Sequence, residues 1–165
     1  MVKERLRELL EYDPETGVFI WKTGRGSVKA GSVAGSKEAN GYVRIRCDGG
    51  RYMAHRLAWL YVHGEFPPEE IDHINGVRDD NRLRNLRCVS RTENTRNQRL
   101  SNRNTSGITG VHWDKKAGKW RAKARGLRLG FFNCKATAGY VARRWRKLSG
   151  FHDNHGKTAE DRSQQ

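Results

Sequence analysis

Apolar residues near the amino terminus recur at helical spacing. Leu6, Leu9 and Leu10 fall at i, i+3 and i+4, which predicts a short amphipathic helix over residues 3–11. Asp13-Pro14-Glu15-Thr16-Gly17 reads as a turn, since Pro fixes one dihedral and Gly accepts positive φ. Val18–Trp21 follows as a strand, and the Gly/Ser/Lys-rich residues 24–41 read as loop with one short strand at Ser32–Ala34. Tyr42-Val43-Arg44-Ile45-Arg46 alternates and predicts a half-buried strand, turned by Asp48-Gly49-Gly50 into a hairpin partner at Arg51–Met53. Residues 54–63 return to helical period, with Leu57, Leu60 and Tyr61 inward and Gly64 placed to end the helix.

Pro67-Pro68 breaks the chain before a second pattern. Glu70–Ile74 predicts a strand, residues 75–84 a polar loop and Leu86–Val89 the returning strand. Ser90-Arg91-Thr92-Glu93 fits a capping box, so a helix runs from there to about Asn97 and carries Asn94 in its first turn. The order is ββα. Residues 98–107 are polar and predict a linker. Beyond them, residues 108–114, 119–125 and 127–132 read as three strands, with Trp120, Ala122 and Ala124 on one face of the middle strand and Arg121, Lys123 and Arg125 on the other. A helix over residues 135–148 aligns Ala138, Val141, Ala142, Trp145 and Leu148 in an apolar stripe that can cover the Trp/Ala face and leave the cationic face bare. Residues 152–165 lack periodicity and read as a disordered tail. The fold class expected is α+β: small strands and helices lead into a ββα unit, followed by a three-stranded antiparallel sheet packed on one helix.

Charge adds a partner to this outline. The 165 residues carry a net charge of +15, and residues 101–150 alone hold 13 Lys/Arg against a single Asp. So concentrated a positive segment attracts polyanions and predicts nucleic-acid binding. Cys47, Cys88 and Cys134 are widely separated, so neither a zinc site nor a secreted disulfide framework is expected. With no long apolar run and no signal-peptide core, no membrane association is expected, and a reducing compartment is.

The candidate chemistry lies in Ile71-Asp72-His73-Ile74-Asn75-Gly76, with Asn85 and Asn94 following. Asp72 and Asn94 offer hard oxygen donors suited to Mg²⁺ (or Mn²⁺), one ion per site. His73, with an ordinary pKa of about 6.5, is a candidate general base for activating water against a phosphodiester. Neighbouring residues of a strand face opposite ways, so the Asn75-Gly76 turn must bend the chain for Asp72 and His73 to act together. Asn85 is cast as a brace, its amide donating and accepting across the loop. His55, at the start of a helix, is read as a structural histidine or a phosphate contact. Trp120 is assigned to the sheet core.

Residues 71–97, with Asp72-His73-Ile74-Asn75-Gly76, Asp80-Asn81, Asn85-Leu86-Arg87 and Glu93-Asn94, resemble the HNH nuclease family of the ββα-metal fold. The closer likeness is to phage- and intron-borne homing endonucleases in which the last His is Asn. Tyr12–Gly17, Asn40-Gly41-Tyr42 and His55–Trp59 resemble the same proteins. Residues 107–151 resemble an APETALA2-type DNA-binding domain through Gly110-Val111, Lys119-Trp120 and Leu129–Phe132. The resemblance implies a nuclease domain over residues 1–97 with its core at 70–97, a linker at 98–107 and a DNA-binding domain at 108–151. It implies a site-specific endonuclease acting on double-stranded DNA with His73 as base, Asp72 and Asn94 as ligands of a single cation, and Asn85 bracing the loop. Arg121, Lys123, Arg125 and Arg128 would lie on DNA, joined by Lys119 and Arg103. Work in the cytoplasm of a bacterial host follows if the chain is phage-encoded, and no protein partner is implied. Gly139 departs from the helix pattern, since Gly costs about 1 kcal/mol relative to Ala there. The rival readings are a non-catalytic DNA-binding regulator that keeps the ββα unit as scaffold, and an RNA-processing nuclease.

Overall fold

A computed structural model describes residues 1–24, 26–98, 100–158 and 161, which form two compact units divided between Asn94 and Thr95. Arg25 of the predicted loop, Arg99 of the predicted linker and residues 159, 160 and 162–165 of the predicted tail lie outside the described residues.

In the first unit α1 spans Lys3–Leu9, shorter than predicted. From Leu10 the pattern changes period: Leu10 and Tyr12 are buried while Glu11 and Asp13 are exposed, so the chain becomes β1 (Leu10–Asp13). β1 pairs antiparallel with β2 (Val18–Trp21) across the Asp13–Gly17 turn. Asp13 holds that turn by accepting from the Glu15 amide and the Thr16 hydroxyl. The strand expected at Ser32–Ala34 is reduced to one bridge, Ile20 to Val33; the pairing segment is β3 (Ser36–Lys37). β3 forms a three-stranded antiparallel sheet with β4 (Val43–Cys47) and β5 (Gly50–Met53). α2 (Ala54–His63) follows and stops at Gly64, whose φ of 92° is the left-handed cap expected of glycine.

The ββα segment comprises β6 (Glu70–His73), a 3-10 turn at Leu83–Asn85, β7 (Leu86–Val89) and α3 (Arg91–Thr95). The capping box forms: the Ser90 amide donates to Glu93 Oε2 at 3.0 Å and the Glu93 amide donates to Ser90 Oγ at 3.3 Å. α3 ends at Thr95, short of the predicted Asn97. Ile71 and Leu86 join a core built from Leu6, Leu10, Phe19, Ile45, Leu57 and Leu60, so burial of apolar surface fastens the site hairpin to α1, α2 and the small sheets.

The second unit is a three-stranded antiparallel sheet, β8 (Val111–Asp114), β9 (Lys119–Ala124) and β10 (Leu127–Phe132), with β9 central. α4 (Lys135–Leu148) packs on it. Val111, Ala122, Ala138 and Ala142 are its buried core, flanked by Ile108, Trp120, Leu129 and Phe132. Gly139 has a packing reason: a Cβ there would come within 2.7 Å of Ile108 Cδ1. The predicted helix stripe is corrected at its end. Leu148 is 80% exposed, and Arg146 is 6% exposed in the interior, because the helical turn from Ala138 and Ala142 points at 146 rather than 148. The segment predicted as linker and the described part of the predicted tail, 152–158, pair with one another: the Leu100 amide donates to the Lys157 carbonyl and the Gly156 amide to the Gln98 carbonyl. Backbone pairing gives both segments a structure that composition alone does not suggest.

Candidate active site

The antiparallel register sets Asp72 opposite Arg87 and His73 opposite Leu86. Alternation then divides β6 between two faces, with Glu70 and Asp72 on one and Ile71 and His73 on the other. On the first face Arg87 donates through Nε and Nη2 to Asp72 Oδ2, at 3.0 and 2.7 Å. Asn94 reaches the same face from α3, its Nδ2 donating to Glu70 Oε2 at 2.6 Å. Glu70 is an oxygen donor that no motif in the sequence marks; only the cross-element bond to Asn94 singles it out.

On the second face His73 is 4% exposed, and its Nε2 lies 3.3 Å from Asn81 Oδ1. Burial pushes its imidazole below the ordinary value, a shift opposed by the Asn81 hydrogen bond and by the Asp72 and Asp80 charges. The ring is therefore neutral near pH 7. His55 packs edge-on against His73 with ring centroids 5.1 Å apart, and Tyr42 lies 5.2 Å from His55 and 5.9 Å from His73. His55 is 8% exposed and packed into this cluster, where its buried Nδ1 has no hydrogen-bond partner among the described residues. Burial first, then the neighbouring His73 and Arg56, lowers its pKa to about 3.

β6 ends at His73 and the chain turns at once, the Gly76 amide donating to the His73 carbonyl at 2.7 Å. Asn85 Oδ1 accepts from the Asn75 amide at 3.0 Å and its Nδ2 donates to the Asp80 carbonyl at 2.8 Å. Asp80 accepts from Asn75 Nδ2 and from the Arg82 guanidinium, which holds its carboxyl below the usual range. The loop is also propped from outside: Tyr12 Oη donates to the Asn81 carbonyl at 2.7 Å, and the Leu83 amide donates to the Pro14 carbonyl. At Gly17 a Cβ would collide with the Arg82 backbone nitrogen, so the β1–β2 turn lies directly against the segment that presents Asn81. Asn81 and Tyr42 both lie in stretches that carry the family resemblance, but neither had a role there, since their contacts with His73 arise only on folding.

A hard divalent cation fits the Glu70, Asp72 and Asn94 face by donor chemistry, because all three present oxygens. Among the described residues no three His, Cys, Asp or Glu side chains form a metal-binding group, so a cation here would draw on amide, water and substrate oxygens as well. Arg87 is the cation that the Asp72 carboxylate holds.

The predicted DNA contacts belong to the second unit. Arg121 donates to His112 Nε2 at 2.7 Å and pairs with Asp114 at 3.2 Å, so its face is not uniformly cationic. Lys123 and Arg128 sit opposite each other on β9 and β10, and Lys119 is opposite Asp114. Phe131 shares the face, 38% exposed, with the Arg128 guanidinium 5.7 Å from its ring. Arg125, predicted on that face, is instead at the hairpin tip: its φ of 46° and the 81° of Gly126 form the tight primed turn favoured between twisted strands. Arg103 lies in the turn-rich segment before the sheet. No described helix is long and apolar enough to cross a membrane.

Residues 52–96 match the HNH endonuclease family, a span holding His55, Asp72, His73, Asn81, Asn85 and Asn94. Protein 3.8 of Escherichia phage T7 is 37% identical over 68 residues, 41% of this chain and 56% of that protein. An SPbeta prophage-derived protein of Bacillus subtilis (strain 168), YosQ, whose name assigns it provisionally to the HNH homing endonucleases, is 30% identical over 96 residues, 58% of this chain and 56% of its own length. The chain thus spans about half the length of the curated relatives it matches. No solved structure is significantly similar to it.

Proposed function

We propose that this chain is a DNA endonuclease of the HNH homing type that hydrolyses phosphodiester bonds at chosen sites in double-stranded DNA, using one Mg²⁺ or Mn²⁺. The observation that carries the reading is the His73 arrangement: a buried, neutral imidazole at the end of β6, where the chain turns, held beside the Asn81 amide. The family match over residues 52–96 supports it. His73 accepts a proton from the attacking water, and Asn81 keeps its ring in place. Asp72, Asn94 and Glu70 would hold the cation. When bound, such a cation supplies charge to the scissile phosphate and to the departing oxygen. Asn85 and Asp80 fix the loop that carries Asn81. The second unit supplies affinity through Lys119, Arg121, Lys123 and Arg128 on its exposed sheet face, with Arg125 at the tip and Arg103 alongside, in the manner of an APETALA2-type domain. A phage or prophage origin and work in a bacterial cytoplasm follow the relatives' sources.

One observation favours the non-catalytic alternative: Arg87 occupies the Asp72 carboxylate as a built-in cation. A supercoiled-plasmid assay separates the two. Relaxed or linear product with Mg²⁺, none with EDTA, and a loss of about 10²–10⁴-fold in His73→Ala with DNA affinity kept within about twofold are expected. Cleavage by His73→Ala at the parental rate would remove His73 as base; no cleavage of any DNA by the parent protein would favour the regulator.

A further inference from the structure

We infer that the second unit contains a binding site for a phosphate-class anion centred on Arg146, separate from the exposed face of its sheet. Arg146 projects from the last turns of α4 into the interior and is 6% exposed. Its Nη2 donates to the Thr109 carbonyl, which accounts for one of five guanidinium N–H groups. Among the described residues no carboxylate pairs with it. The carbonyls at the end of α4 do not serve instead: those of Trp145, Arg146 and Lys147 accept from the Ser149, Gly150 and Phe151 amides.

A cation in that position is costly unless something negative reaches it. The surroundings are built to admit such a group. Arg146 opens onto a cavity of about 400 Å³, walled by α4, by residues 107–109 and by the 151–157 segment, with no residue of β8, β9 or β10 in its lining. Arg143, Lys147 and Lys157 join Arg146 there, against the carboxylates of Asp153 and Asp161. Asp161 is already engaged, accepting from the Thr158 amide and hydroxyl. Thr109, also in the wall, has a buried hydroxyl oxygen with no hydrogen-bond partner among the described residues. Burial, and then the charge of Arg143, holds the Arg146 pKa below its ordinary value, as expected where a guanidinium lacks its counter-charge. A planar fork of donors, a hydroxyl and the ammonium groups of Lys147 and Lys157, the latter also donating to Asn154 Oδ1 at 3.3 Å, suit a tetrahedral oxyanion with several acceptor oxygens.

The phosphate could belong to a DNA backbone or to a free phosphate compound, and NMR of the full chain distinguishes them. The probes are inorganic phosphate, at constant ionic strength against chloride, and a 12-base-pair duplex without divalent metal. Saturable shifts of the Arg146 Nε–Hε and Thr109 amide signals are expected with at least one probe. Shifts with the duplex, reversed by added phosphate, assign the site to backbone phosphate; shifts with phosphate alone assign it to a free compound. The Lys147→Ala/Lys157→Ala protein, altered only at the cavity's rim, should stay folded and bind the active probe at least threefold more weakly, whether or not Arg146→Gln folds. The inference is overturned if neither probe gives a saturable shift, or if the rim variant binds as tightly as the parent. Because no cleavage is measured, the result stands apart from the fate of the nuclease reading.

Discussion

His73 and His55 are two buried imidazoles in ring contact with different expected uses. His73 has the Asn81 amide and nearby carboxylates to offset its burial; His55 has an Nδ1 with no hydrogen-bond partner among the described residues and a second imidazole beside it. The His55 shift has a definite sign for stability. Its folded pKa of about 3 lies below the unfolded value of about 6.5, so between those limits the unfolded chain binds more protons. The neutral ring's contribution is complete above about pH 6.5 and declines as pH falls toward 3, by at most about 1.4 kcal/mol per unit. His55→Phe keeps a ring in the cluster and removes the titration. Urea unfolding from pH 7 to 4 should therefore show a shallower loss of stability in this variant than in the parent; equal slopes would mean that His55 is not buried neutral.

Among the elements, the β1–β2 hairpin has a role its position in the chain conceals. Gly17 is at φ +75° and its α-carbon abuts the Asn81–Arg82 backbone, where a methyl group has no room. Tyr12 and Pro14 bond to the same segment. Gly17→Ala should cost about 2–4 kcal/mol of stability, through positive φ and displaced backbone together. On the proposed function it should also reduce cleavage by more than the unfolded fraction explains, because Asn81 moves with its support. Thermal unfolding and cleavage measured on one preparation test this, and a Tm unchanged within a degree would rule out the close approach. α3 shows the opposite case, a local device: five residues are too few for a helix to persist alone, and the Ser90–Glu93 capping box sets its start and thereby the place of Asn94.

Across the molecule, the net positive charge is concentrated beyond residue 100, because the carboxylates lie mainly before it. On the proposed reading one unit cuts and the other holds DNA, so electrostatic changes in the second should alter binding and its salt dependence without touching chemistry at saturation. Lys123→Ala with Arg128→Ala removes two cations that face each other across β9 and β10. The slope of log K against log salt should fall in magnitude by about 2, roughly one unit for each phosphate that is no longer neutralised. An unchanged slope would move the DNA interface off this face.

Much of the architecture was legible in the chain itself. The 2.0 and 3.6 periods located β4 to β10, α2 and α4, the capping box located α3, and the Asp72-His73 pair with Asn85 and Asn94 marked where chemistry could lie, because these signals are local and depend on neighbours within a few residues. The misreadings are places where a distant partner decides. Leu10 left the α1 helix because Trp21 offered it a strand partner. Arg146 replaced Leu148 in the interior, and Gly139 stayed glycine against Ile108. Gln98 and Leu100 of the predicted linker pair with Gly156 and Lys157, in the described part of the predicted tail. In the candidate site, sequence nominated the titratable groups, but only the folded chain could pair Asp72 with Arg87, bring Asn94 to Glu70 and set Asn81 and His55 against His73. Hydrogen bonds and ring contacts form between side chains close in space, and spacing along a chain carries no measure of that distance.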